Sequence, residues 1–162
     1  MDQTSSLDER SLDERHMEAA LEAARACTEH GDVPVGCVIV RDADAQVVAT
    51  AGNGRERFQD PTAHAEVLAL RDAATAAGSW HLEDHTLVVT LEPCAMCAGA
   101  IVLARIRRVV FGASDPKAGF AGSLGNLVDD PRLNHRVEVS SGVLEEACGD
   151  LLRAFFRDRR TP

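Results

Sequence analysis

The chain reads as a mixed α/β protein built in layers around a central sheet. Short apolar runs of strand character at residues 35–41, 86–91 and 107–112 alternate with helical repeats at 16–30, 63–77 and 94–104. A length of 162 residues, 45% hydrophobic and 27% charged, suits one domain with one adequate core.

Taken in order, residues 6–15 spell Ser-Leu-Asp-Glu-Arg twice. The duplication is too short for a solenoid and too polar for a core, so residues 1–15 read as an acidic tail or helical extension without chemistry, and 16–160 as a single domain. Met17, Leu21, Ala24 and Cys27 recur at helical spacing, and Gly31 ends that helix. A buried-type strand at 35–41 and a turn at 42–45 lead to a second strand at 46–51. Gly52-Asn53-Gly54 opens a polar loop, with Thr62 as the expected cap of the next helix. That helix carries Val67, Leu70, Ala74 and Ala77 on one stripe and stops at Gly78. A strand at 86–91, a helix at 94–104, strands at 107–112 and 136–140, and a helix at 144–157 complete the pattern. In the last helix Leu144, Cys148, Leu151 and Phe155 share a face.

Composition narrows the function classes. No apolar run approaches the roughly 20 residues of a membrane span, and the acidic N-terminus has no apolar leader, so a cytoplasmic protein is expected and no membrane partner. An odd number of cysteines, five, argues against a disulfide framework, and Cys27, Cys37 and Cys148 read as small core residues. The net charge of −9 runs against nucleic-acid binding, which favours a basic footprint. The charge is uneven, however. The first 15 residues are acidic, whereas Arg105, Arg107 and Arg108, and again Arg153, Arg157, Arg159 and Arg160, form basic clusters. Screening beyond about 8 Å lets a local patch act against an acidic total.

Chemistry concentrates in His64-Ala65-Glu66 and in Glu92-Pro93-Cys94-Ala95-Met96-Cys97, an H-x-E followed by P-C-x-x-C. Cys94 and Cys97 at i and i+3 fall on one helix face. Pro93 suits a helix start, and the positive end of the helix dipole favours the thiolate that binds metal. Three metal-type ligands rather than four leave a position for water, as catalytic zinc sites do, and Glu66 is placed to shuttle protons there. Alone, C-x-x-C also fits a redox pair or half a structural zinc site, and H-x-E fits an ordinary amphipathic helix. The two together, each at a strand-to-helix junction, form the known zinc nucleobase-deaminase signature.

Beyond that signature, Asp32-Val33-Pro34-Val35-Gly36, Asp60-Pro61-Thr62-Ala63-His64-Ala65-Glu66, Leu91–Ala100, Arg108–Ala113, Gly122-Ser123-Leu124 and Asn134-His135-Arg136-Val137 resemble the bacterial tRNA-specific adenosine deaminase (TadA) family, within the zinc-dependent cytidine/deoxycytidylate deaminase superfamily. The likeness covers nearly everything from Met17 onward. It implies a three-layer α/β/α sandwich with a central five-stranded mixed sheet, cytidine deaminase-like. It also implies hydrolytic conversion of adenosine to inosine at the wobble position of a tRNA anticodon stem-loop. By the same likeness, one Zn2+ per subunit would be held by His64, Cys94 and Cys97, with Glu66 catalytic. Asn53 and the backbone of Ala65 and Pro93 would hold the base. Asp115, Lys117 and Ser123 are expected to border the RNA groove, Phe156 and Arg159 to contact RNA, and the small-residue run after Cys97 to help form a homodimer. Phe120 replaces a small residue of the pattern. By residues alone, Asn53 reads equally as a turn asparagine and the C-terminal arginines as a solvated helix end. A deaminase of a free base or nucleoside shares the zinc motif, and a non-catalytic zinc RNA-binding module has no use for Glu66.

Overall fold

The computed structural model describes residues 3–160. Its first helix, α1, runs Gln3–Cys27, continues as one 3-10 turn at Thr28–His30 and ends at Gly31, whose φ of 81° is open chiefly to glycine. Strands β1 (Gly36–Arg41) and β2 (Gln46–Gly52) form a hairpin, and α2 (Arg55–Phe58) and α3 (Ala65–Ala77) follow. Then come β3 (His85–Leu91), α4 (Ala95–Leu103), β4 (Arg108–Ala113), β5 (Glu138–Ser140) and α5 (Glu145–Arg160).

The five strands lie in the order β2-β1-β3-β4-β5, with β1 antiparallel to both neighbours and β3, β4 and β5 mutually parallel. Alternation along the strands divides the core in two. Cys37 and Ile39 of β1, with Leu87, Val89, Val109 and Phe111, pack against Ala69, Leu70 and Ala73 of α3 and Ala98 and Ile101 of α4. Val38, Val40, Val88 and Val110 face the other way, onto Met17, Ala20 and Leu21 of α1 and Cys148 of α5. This is the three-layer α/β/α sandwich that the resemblance implied. The layer of α1 lies so close to β1 that a Cβ at Gly36 would strike the Ala20 carbonyl.

Three sequence expectations shift. The first helix begins at Gln3, not near residue 16, because Leu, Glu and Arg of the repeat are good helix formers and Asp13 has a partner. That carboxylate, 7% exposed, accepts two hydrogen bonds from Arg108, at 2.9 and 2.6 Å, although 95 residues separate them. Residues 1 and 2 of the expected tail lie outside the described residues. Second, Arg107 and Arg108 are not a free basic cluster: Arg107 pairs with Asp42 at 2.7 Å and Glu138 at 3.4 Å, and Arg108 with Asp13. Third, the polar loop contains α2, whose Glu56 and Arg57 N–H groups donate to the buried Asp32 carboxylate at 2.7 and 3.1 Å. No helix among the described residues is long and apolar enough to cross a membrane.

Candidate active site

The site forms where the mouths of α3 and α4 meet. His64 and Cys94 are the residues immediately before these helices, both extended (φ −72°, ψ 149° and φ −73°, ψ 177°) while their carbonyls already accept the first helical bonds from Leu68 and Ala98. Thr62 is not the cap that the sequence suggested. Its N–H and hydroxyl both bond Asp60, at 2.8 and 2.7 Å, so the chain turns there and enters the helix two residues later. Strand β3 delivers Cys94, and one helical turn brings Cys97 onto the same face.

His64 Nδ1 lies 3.5 Å from the Cys94 sulfur and 3.4 Å from that of Cys97. Tetrahedral zinc with ordinary Zn–S and Zn–N bonds needs about 3.6 Å between such donors, so the side chains fit the metal as they stand. All three ligand atoms lie within 4.8 Å of one another, and among the described residues no fourth His, Cys, Asp or Glu joins the group. The electrostatics are those of ligands awaiting a cation. Cys94 is pulled well below the ordinary thiol value, first by a hydrogen bond from Cys97 and then, against burial, by His64. Cys97 is pushed up by that same contact and by burial. Hydrogen bonding to Cys94 raises His64 against its own burial. Glu66, 4% exposed, is raised by burial against the weaker pull of its own N–H, of Cys97 and of His64.

A cleft of about 210 Å³ opens onto this cluster, lined by Val33, Asn53, Arg55, His64, Glu66 and Asp115 among others. That is below the usual range of ligand sites (~300–1,000 Å³) and suits one base rather than a large cofactor.

A family model for the cytidine and deoxycytidylate deaminase zinc-binding region matches residues 10–113. The tRNA-specific adenosine deaminase of Bacillus subtilis is 52% identical over 148 residues, 91% of either chain. The chain belongs to that deaminase family. The Haemophilus influenzae tRNA-specific adenosine deaminase is 49% identical over 92% of this chain and 86% of its own. A solved structure from work on A-to-I editing by tRNA:A34 deaminases superposes with a TM-score of 0.81 at 43% identity, covering 85% of this chain and 99% of that one. A guanine deaminase from Nitrosomonas europaea (24% identity, TM-score 0.77, 88% of this chain and 83% of that one) shares the fold alone. The protein is thus a zinc-binding deaminase.

Of the other residues singled out by sequence, Asn53, Ala65 and Asp115 line the deaminase cleft, whereas Pro93, Lys117, Phe156 and Arg159 are not among its lining residues. Asn53 also serves its own loop, donating to the Val33 carbonyl at 3.2 Å and accepting from the Arg55 N–H at 3.2 Å. The Pro93 carbonyl accepts the Phe120 N–H at 2.8 Å. Asp115 folds its own turn, accepting from the Lys117 and Ala118 N–H groups at 3.1 and 3.2 Å. Phe120, an oddity in the sequence, packs on the core against Gly125. On α5, Phe155 is half-buried and Phe156 is 45% exposed. Arg159 stacks on the Phe155 ring and donates to the Gly31 carbonyl at 2.6 Å.

Two site residues went unnoticed in the sequence. Arg55 brings a cation to the cleft, but only the α2 turn capped by Asp32 puts it there. Glu92, 3% exposed, accepts hydrogen bonds from the Asp115, Ala121 and Ser123 N–H groups (3.0, 3.1 and 3.0 Å) and from the Ser123 hydroxyl. Burial alone would raise its pKa. Those donors, the Ser123 hydroxyl foremost, outweigh burial and hold it below the ordinary carboxylate value.

Proposed function

We propose that this deaminase converts adenosine to inosine at the wobble position of a tRNA anticodon, with one zinc per chain held by His64, Cys94 and Cys97. The observation that carries the reading is the open three-donor cluster with Glu66 buried beside it at the floor of a base-sized cleft. Bound there, zinc supplies the Lewis acidity that makes a water nucleophilic near neutral pH.

The chain's own residues do the rest. Glu66 takes one proton from the water and hands it to the ring nitrogen next to the reacting carbon, then takes the second proton from that same oxygen, now bound to carbon, and delivers it to the departing amine; a carboxyl raised by burial suits both exchanges. The Ala65 N–H, at the first position of α3, has no helical partner and can donate to the base. Asn53 has one amide hydrogen left for the nucleoside, and the Pro93 carbonyl a second lone pair. Arg55 at the cleft, and Lys117, Phe156 and Arg159 outside its lining, supply phosphate and stacking contacts. Residues 16–160 form the deaminase domain, with the tail ahead of it helical from Gln3 on. The Val67, Leu70, Trp80 and Leu103 groove, where Trp80 is 59% and Leu103 70% exposed, supports a homodimer through α3 and α4. Sedimentation of a dimer at assay concentrations would bear that out, and a monomer would count against it. The place of action is the cytoplasm.

The test is incubation of the zinc-loaded protein with an anticodon stem-loop carrying adenosine at the wobble position, beside a panel of free bases and nucleosides. Inosine in the stem-loop alone is the expected result. Turnover confined to free bases or nucleosides would install the small-molecule reading instead, and no turnover of anything would favour a zinc RNA-binding module.

A further inference from the structure

Glu92 is a buried carboxylate that the proposed chemistry leaves without a task. It stands two residues before Cys94, between β3 and the metal-type turn. Four donors converge on its two oxygens, and none is a cation. All come from one stretch, 23 to 31 residues further on: the Asp115, Ala121 and Ser123 N–H groups and the Ser123 hydroxyl. That stretch opens the long connection between β4 and β5, which has no helix or strand of its own to stiffen it. It is tied at two more points to the same turn, by the Phe120 N–H on the Pro93 carbonyl and by a bridge between Cys94 and Gly119. Gly119 passes so close that a Cβ there would overlap the Glu92 carboxylate. The loop thereby sets Asp115 and Ala118 in the wall of the cleft that begins at Cys94.

We infer that Glu92 is a positioning residue: its carboxylate clamps the loop at 115–123 onto the metal-bearing turn and so fixes the cleft wall that receives the polynucleotide. Glu92 itself borders the cleft, but both its oxygens are engaged by the loop, so it acts by holding Asp115 and Ala118 in place. Gln at this position keeps the shape but turns one acceptor into a donor facing N–H groups, which opposes the clamp rather than merely weakening it. Choice of substrate rests on the tRNA reading above; the anchorage of the loop does not.

Lys117 is the sole lysine of the chain and lies exposed within this loop, so a lysine-specific protease reports on the clamp without any RNA. Zinc-loaded wild type, Glu92→Gln, Ser123→Ala and the double variant are compared for cleavage after Lys117, zinc content, the absorption spectrum of the Co2+-substituted form, and kcat and KM on the stem-loop. For Glu92→Gln, cleavage should rise about tenfold or more and KM on the stem-loop about tenfold, with a smaller fall in kcat, as expected for a lost hydrogen bond to a charged group. Ser123→Ala should move the same readouts less, and the double variant should be little worse than Glu92→Gln. Zinc content and the Co2+ spectrum should stay at wild-type values. Unchanged cleavage, or faster cleavage with unchanged KM, overturns the inference. So does a lost or altered metal centre, which would make Glu92 a support of the metal turn. If wild type fails on the stem-loop but Glu92→Gln still opens the loop, the tRNA reading falls and the anchorage stands.

Discussion

Glu66 and Glu92 flank one metal-type cluster, and both are almost wholly buried, at 4% and 3% exposed. Glu66 sits in the first turn of α3, where burial dominates and its few partners cannot offset it, so its pKa is raised. Burial acts on Glu92 too, but one hydroxyl and three backbone N–H groups converge on it, and its pKa is lowered. Glu66 lies deep beneath the surface whereas Glu92 lies close to it, so depth and the number of donors together separate a carboxylate able to exchange a proton from one that serves as a fixed anion. The first arrangement suits chemistry and the second suits architecture.

The comparison breaks most visibly at Glu66. Glu66→Ala should keep its zinc, measured by metal analysis, yet lose at least about 10²-fold in turnover, the typical worth of a positioned general acid–base. Near-normal turnover would strip Glu66 of its role. Glu66→Gln should be as inactive while melting at or above the wild-type temperature, because it removes a poorly solvated carboxylate; gains of about 0.5–2 kcal/mol are usual when such active-site residues are relieved. Glu92→Gln should melt lower. Equal signs for the two would show that depth and donor count do not set these carboxylates apart.

Asp13 sharpens the contrast from the other side of the sheet, since its partner is a cation. Arg108, on β4, gives it two hydrogen bonds and two more, at 3.3 and 2.8 Å, to the Ser140 hydroxyl. Asp13→Ala leaves the buried guanidinium only the exposed Glu9, at 3.7 Å, for a counter-charge and should cost about 3 kcal/mol. At roughly 2–4 °C per kcal/mol for a chain of this size, Tm falls by roughly 6–12 °C. Deleting residues 1–16 should cost at least as much, whereas Asp13→Leu with Arg108→Met should restore most of the loss. A change below about 0.5 kcal/mol in Asp13→Ala, the size of an ordinary surface substitution, would mean that the extension merely lies on the domain.

These three acids also show what was legible from the residues alone. His64, Glu66, Cys94 and Cys97 stood out because their chemistry is rare and their spacing local: short gaps within one helical turn at the starts of two helices. The sheet was legible because buried strands carry apolar runs. Glu92 and Asp13 were not, since their partners lie 23–31 and 95 residues away and no local period marks such a pair. Arg55 hid inside what reads as a polar loop, because Asp32 caps α2 from across 24 residues. The Ser-Leu-Asp-Glu-Arg repeat looked inert because the cation that meets its acids Glu9 and Asp13 lies some 95 residues further on, at Arg108. Arg107 and Arg108 were read as a basic surface for the same reason: a charge count along the chain is blind to carboxylates that folding brings alongside.

The smallest expected effect is the cleanest check on donor counting. Asp42 is a partly exposed acid far from the metal-type cluster. Burial on its own would raise its pKa, but hydrogen bonds from Arg107 and Thr86 prevail, and it lies below the ordinary carboxylate value. A carboxyl whose folded pKa is depressed stabilises the protein fully above its unfolded value, near about 3.9, and loses that contribution as the pH falls through the folded value. The Tm difference between wild type and Asp42→Asn should therefore be constant from neutral pH to about pH 5 and shrink below about pH 4, with an amplitude under about 1 kcal/mol because solvent screens the pair. Taking the difference between the two proteins cancels the acid release of metal that both share. A difference that grows on acidification has the wrong sign for a carboxylate held by donors, and would undo at Asp42 the rule that separates Glu92 from Glu66.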